Sequence, residues 1–210
     1  MTSLFKFDSK STSVLDKNEF REHVESLLKN AEKSVLVCSG FVKQEGVKWL
    51  KKHIKSDVKC TILTFWSAKH LLDGGSDLKA YEFCHENNWD FHQVQGYHGK
   101  AIQIDKSYVA VGSSNLTQRG FGLIPFPNEE TGVIKEMSIL DEEYFDKLLQ
   151  SSYKVTYGDY VKLKEWYEEN KIKKNKISYP SLPVSFEPEN KIDIKRLWTD
   201  DFPILSFHEF

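Results

Sequence analysis

The segment HGKAIQIDKSYVAVGSSN, residues 98–115, constrains the fold of this chain more than any other stretch. Two apolar-rich runs, residues 98–104 and 108–111, flank Asp105-Lys106-Ser107, which is turn chemistry. Two consecutive strands joined by a short turn are the expected outcome. The polar residues then gather at neighbouring strand ends. His98 and Lys100 enter the first strand, and Gly112, Ser113 and Asn115 follow the second. Residues i and i+2 share a strand face, so His98 and Lys100 are expected to point the same way, and Ser113 and Asn115 repeat that spacing. Asp105, five residues past Lys100, faces away from both by the same alternation, which predicts a structural role in the turn.

His98, Lys100, Ser113 and Asn115 suit an attack on a phosphodiester. Such a diester is anionic and repels anionic nucleophiles. A neutral imidazole escapes that repulsion and can form a covalent phosphohistidine. Histidine can equally donate a proton near neutral pH. The Lys100 ammonium would neutralise a nonbridging oxygen as charge builds there, and Ser113 and Asn115 would add a hydroxyl and an amide donor. Gly112 and Gly99, without side chains, would let backbone or substrate come close. Glu130 offers a carboxylate to fix the His98 tautomer, as the orienting acid does in a triad, with Glu129 the second choice. Arg119 lies in a Gly- and Pro-rich loop, residues 118–127, where it could contact substrate phosphate. Phe121 and Phe126 of that loop are expected to pack rather than to wedge between bases. No step of this chemistry calls for a metal or another cofactor.

The order His98-x-Lys100-x4-Asp105-x6-Gly112-Ser113-x-Asn115 resembles the signature of the phospholipase D superfamily. Asn128-Glu129-Glu130 is similar to the Asn-x-Glu that follows it in many members. Phospholipases of that superfamily carry two copies of the motif on a longer chain. This chain carries one, as do the single-copy nucleases, which include the nuclease domains of BfiI- and NgoFVII-type restriction endonucleases. Ser39-Gly40-Phe41 and the helix led by Gly46 are also similar to the NgoFVII type. The resemblance implies a half-domain that dimerises, with one active site across the twofold interface. His98 of one chain would be the nucleophile and His98 of the other the general acid. It also implies DNA, double-stranded, as the substrate. Restriction enzymes of this kind read sequence with a separate domain, and about 35 residues after the nuclease portion are too few to form one.

The net charge of −2 does not advertise a nucleic-acid binder, so any basic surface has to be local. Lys51, Lys52 and Lys55 form one cluster, and Lys171, Lys173, Lys174 and Lys176 another. Both read as solvated helix ends, with a DNA-backbone track as the sharper alternative. No apolar run approaches the ~20 residues of a membrane span, and the N-terminus lacks the basic and apolar parts of a secretory signal. Cys38, Cys60 and Cys84 are odd in number and widely spaced, the pattern of buried thiols in a reducing cytoplasm. Cys84-His85 and His92 lack a second pair at finger spacing, so no metal site is expected. His23, His53, His70 and His208 have no partner pattern and read as surface residues.

Helical periodicity over residues 16–30 places Phe20, Val24, Leu27 and Leu28 on one stripe. Residues 34–39 and 58–66 read as buried strands, with a helix through Val47, Leu50 and Ile54 between them. Further helices are expected near residues 77–86 and 142–150, and short strands at 90–94 and 130–134. This β-α-β-α-β order predicts an α/β fold with a mixed β-sheet sandwiched by helices. The nuclease domain is expected over residues 1–174. A Pro- and aromatic-rich extension over 175–210 is expected to pack on the core or the dimer. The leading functional expectation is a metal-independent phosphodiesterase acting on DNA, an endonuclease of restriction type. A lipid phosphodiesterase or phosphatidyltransferase, and a non-catalytic DNA-binding dimer, are the alternatives.

Overall fold

The computed structural model describes residues 13–171 and 179–186. The expected boundary at 174/175, Lys173, Lys174, Lys176 and His208 lie outside the described residues. Local signals account for the first elements. Strand β1 (Leu15–Asp16) runs into helix α1 (Lys17–Asn30), where the Asp16 carboxylate accepts from the Asn18 and Glu19 amides and Glu19 returns the bond to the Asp16 amide. Phe20, Val24 and Leu28 of α1 are buried at helical spacing. Strand β2 (Ser34–Ser39) and strand β3 (Lys59–Thr64) are buried in every residue but the first, because both sheet faces are covered there. Helix α2 (Gln44–His53) connects them.

Helices α3 (Ala68–Leu72) and α4 (Lys79–Glu86), strand β4 (Asp90–Gln93), and strands β5 (Lys100–Ile104), β6 (Tyr108–Gly112) and β7 (Thr131–Glu136) follow. Helix α5 (Ile139–Gln150), strand β8 (Tyr153–Lys154) and helix α6 (Tyr157–Asn170) complete the order. The eight strands form one mixed sheet in the order β1-β7-β6-β5-β2-β3-β4-β8. Strands β2, β3 and β4 are parallel, and β5, β6 and β7 alternate in direction beside β2. One consequence governs function. The C-terminal ends of β2, β3, β4 and β6 share a sheet edge with the N-terminal ends of β5 and β7.

The sandwich is unequal. The larger core joins α1, α2, α4 and α6 to inward residues of the sheet, such as Val37, Ile62, Phe91 and Ile102. The smaller core holds Leu36, Cys38, Leu63, Ala101 and Val109 under Phe145 of α5. The mixed α/β sandwich therefore stands as read from the sequence. Four elements had no reading there: β1, β8, α3 and α6. Helix α5 also begins three residues earlier than expected, because Ser138 and Asp141 form a capping box. Leu182, Val184 and Phe186 pack against the larger core, and the Tyr179 hydroxyl donates to Asp73 at 3.0 Å. The three cysteines are buried and unpaired. Among the described residues no helix is long and apolar enough to cross a membrane.

Candidate active site

His98 and Lys100 do not share a strand as expected. Strand β5 begins at Lys100, and His98 lies in the exposed loop before it. Contacts, not alternation, set its position. The imidazole Nδ1 lies against Gly40, where an added Cβ would stand 2.8 Å from it. The Gly40 amide donates to the Gly99 carbonyl at 3.2 Å, tying the loop after β2 to the His98 loop. The Phe41 ring meets the imidazole edge-on, with centroids 5.8 Å apart. Tyr97 anchors the loop by packing against the smaller core around Cys38, Ala101 and Phe145. Its ring occupies the space beside Gly99 that a Cβ would fill, so Gly99 makes room for Tyr97 rather than for substrate.

Lys100 is half-buried, and its ammonium donates to the His98 carbonyl at 2.7 Å. Burial pulls its pKa below the ordinary lysine value, while the nearby Glu130 carboxylate pulls it back up. The Lys100 charge in turn holds the His98 pKa below the ordinary histidine value, helped by partial desolvation and by His70. A depressed histidine pKa favours the neutral imidazole, the form with a lone pair to donate. With Nδ1 against Gly40, Nε2 is the ring nitrogen farther from that backbone.

The Asn115 Oδ1 accepts the Phe41 amide at 3.1 Å. That bond fixes the amide orientation and leaves Nδ2 as the donor end. Ser113 follows a different course from the expected one. Its hydroxyl donates to a Glu130 carboxylate oxygen and accepts the Thr131 amide at 3.1 Å. A hydroxyl has one proton, so the Ser113 proton is committed to Glu130 rather than to a substrate oxygen. The buried Glu130 takes its second bond from Asn128 Nδ2 at 2.9 Å, which accounts for the Asn-x-Glu spacing. The expected His98–Glu130 bond is absent among the described residues. Strand order explains this, since β6 and β7 are direct neighbours and Glu130 precedes the strand that Ser113 adjoins. Glu129 is exposed and pairs with Lys17 at 2.5 Å.

Asp105 stands at the opposite end of β5, about 16 Å from Lys100 at strand rise. Its carboxylate accepts the amides of Glu32, Lys33 and Ser34 at 2.8–2.9 Å and so ties the turn to the start of β2. Gly112 pairs with Gly132 on β7, where an added Cβ would stand 2.6 Å from the Thr131 carbonyl. It therefore admits backbone rather than substrate. Arg119 is exposed and has no ion-pair partner among the described residues, while its carbonyl accepts the Asn128 amide at 3.2 Å. Phe121 is buried against Trp49, as packing required, but Phe126 is 88% exposed at a left-handed φ of 57°.

His70 was not recognised from the sequence. It is half-buried on α3, stacks edge-on with Phe41 at 4.8 Å and influences His98. The only sequence signal was its place just after a buried strand whose end faces the site. His53 is also less exposed than expected, lying 3.6 Å from Glu25.

The edge thus gathers His98, Lys100, Ser113, Asn115 and Glu130, and leaves Asp105 away. The family model described as cardiolipin synthase, PLD-like domain, matches residues 24–150. No curated protein matches the sequence. Among solved structures, the chain is similar to Nuc of Salmonella typhimurium, a phospholipase D family member. The TM-score is 0.52 at 19% identity, over 69% of this chain and 99% of that one. It is also similar to phosphatidylserine synthase of Haemophilus influenzae Rd KW20, with a TM-score of 0.54 at 16% identity, over 78% of this chain and 44% of that one. These structures share the fold. With the family model spanning more than half of its length, the chain belongs to the phospholipase D-like domain family.

Proposed function

We propose that this chain is a phosphodiesterase that cleaves DNA through a phosphohistidine on His98, without a metal. The observation that carries the reading is a neutral-leaning imidazole, its Nδ1 seated against Gly40, under the influence of the Lys100 charge and at the same sheet edge as the Asn115 amide. The Nε2 lone pair forms a bond to phosphorus as the bond to the leaving oxygen breaks. Lys100 and Asn115 Nδ2 hold the nonbridging oxygens as charge builds. The leaving oxygen takes its proton from a second imidazolium, His98 of the partner subunit. Water then attacks phosphorus, gives its proton to that same imidazole, and the P–N bond breaks. Glu130 acts on Ser113, setting the mouth of the site rather than the His98 tautomer.

A twofold dimer is part of this proposal. Val111, two residues before Ser113, is 42% exposed, and Ile139, Leu140 and Tyr144 at the start of α5 are 75%, 73% and 45% exposed. Val111 lies at the site end of the sheet, whereas Ile139 and Leu140 follow β7 at the Asp105 end; an exposed apolar residue beside the reacting groups suits a second copy that brings its own His98. The resemblance to the single-copy nucleases named above supports an endonuclease, and restriction-type action rests on that resemblance alone. Three buried free thiols suit a reducing compartment, and a cytoplasmic site of action belongs to the same proposal.

Lipid phosphodiester chemistry is the second reading, supported by the family description and the fold shared with phosphatidylserine synthase. Supercoiled plasmid and phosphatidylglycerol vesicles, each in excess EDTA, separate the two. Nicking by the wild type and none by His98→Ala supports the nuclease. Vesicle hydrolysis without nicking supports the lipid reading, and an active His98→Ala overturns both.

A further inference from the structure

Three half-buried rings continue from His98 along the same sheet edge. Phe41 follows β2, Phe65 follows β3, and His70 lies on the short helix after it. Each meets the next edge-on. Centroids are 5.8 Å apart for His98 and Phe41, 4.8 Å for Phe41 and His70, and 5.2 Å for His70 and Phe65. The row is held from behind. His70 Nδ1 donates to the Phe65 carbonyl at 3.0 Å, and the Phe41 amide donates to Asn115 at 3.1 Å. The neighbouring Trp66, by contrast, is fully buried against Phe91. The fold therefore turns one aromatic inward at the end of β3 and leaves the adjacent one at the edge.

Ordered, partly exposed rings beside a phosphodiester-directed nucleophile are what a stacking platform requires. Every base has a flat apolar face, so such a platform takes bases without regard to sequence. In a duplex those faces are already stacked and out of reach. We infer that Phe41, His70 and Phe65 form a stacking subsite for unpaired bases next to the scissile phosphodiester, so that single-stranded nucleic acid is the preferred substrate. The inference rests on the phosphodiesterase reading above and revises the duplex expected from the resemblance. The strand would cross the sheet edge, with its phosphate over β5 and β6 and its neighbouring bases over β2 and β3.

The test is fluorescence anisotropy in EDTA with the full chain carrying His98→Ala, so that binding is read without cleavage. The probes are one labelled oligodeoxynucleotide, its duplex, and phosphatidylglycerol vesicles. The single strand is expected to bind at least tenfold more tightly than the duplex. Phe65→Leu should weaken single-strand binding roughly 5- to 150-fold, the range for one lost stack. Phe65→Trp should restore it, because it keeps a ring, whereas a purely structural role would not follow ring character. Equal binding of strand and duplex, a Phe65→Leu indistinguishable from its parent, or binding of vesicles alone would each overturn the inference. Wild-type turnover of bis(p-nitrophenyl) phosphate, which needs no subsite, is measured alongside. Its absence together with ring-dependent strand binding overturns the catalytic reading and leaves the subsite standing.

Discussion

Replacing Asp105 separates a structural from a catalytic role for the one motif residue that stands away from the site. Three backbone amides donate to its carboxylate, those of Glu32, Lys33 and Ser34. A hydrogen bond to a charged group contributes roughly 1.5–3 kcal/mol. Glu32 and Lys33 are exposed, so water can take their bonds over, while the half-buried Ser34 amide has less access to it. The expected loss is therefore about 2–3 kcal/mol rather than three full bonds. Asp105 also has a left-handed φ of 53°, which Asp and Asn tolerate and Ala resists at roughly 1 kcal/mol. Asp105→Ala should then cost about 3–4 kcal/mol, or roughly 10 °C in melting temperature for a domain of this size. Asp105→Asn keeps the φ preference and one acceptor oxygen, and should cost half of that or less.

The pH dependence has a definite sign. Burial by itself would raise the Asp105 carboxyl, but the bonds from Ser34, Glu32 and Lys33 outweigh it and hold the pKa below 3.8. A depressed carboxyl stabilises the fold above its unfolded value, and that contribution is lost as pH falls through the folded value. The gap between wild type and Asp105→Ala should be full at pH 7 and narrow below about pH 4, leaving the pH-independent backbone strain. Thermal melts at several pH values measure the gap, and kcat/KM at 25 °C is measured alongside. Activity of the folded variant should stay within about threefold of wild type, since the site lies about 16 Å away. An Asp105→Ala that melts like the wild type but is a hundredfold slower would refute the structural role.

Two further substitutions test the site itself. Gly40→Ala places a Cβ 2.8 Å from His98 Nδ1, so the imidazole has to move; kcat should fall about 100-fold with little change in melting temperature. A Gly40→Ala of normal activity would show that His98 is not held by this contact. In Lys100→Met, the His98 pKa followed by NMR should rise, because the Lys100 charge is the largest influence holding it down. A value that stays put or drops would contradict that account.

The candidate residues of the proposed site were legible as a cluster because their spacing is local. Lys100 at one strand start and Ser113 past the next strand end follow from two apolar runs and a turn, which the β5–β6 pairing carries out. Helix α1 was legible for the same reason, since its stripe depends on residues three and four apart, while its capping box emerged from the structure. His98 itself shows the limit of periodicity, because it stands outside the strand that alternation extended over it. What periodicity could not supply was partnership across long separations. Glu130 engages Ser113 rather than His98, and Asp105 binds amides more than seventy residues earlier. Gly40 seats the imidazole, and His70 joins Phe41 in the aromatic row. Each of these follows from strand order, β6 beside β7 and β5 beside β2 beside β3. The period of a strand states which face a residue occupies but not which strand lies next to it, so the sequence named the candidate residues and the sheet decided their neighbours.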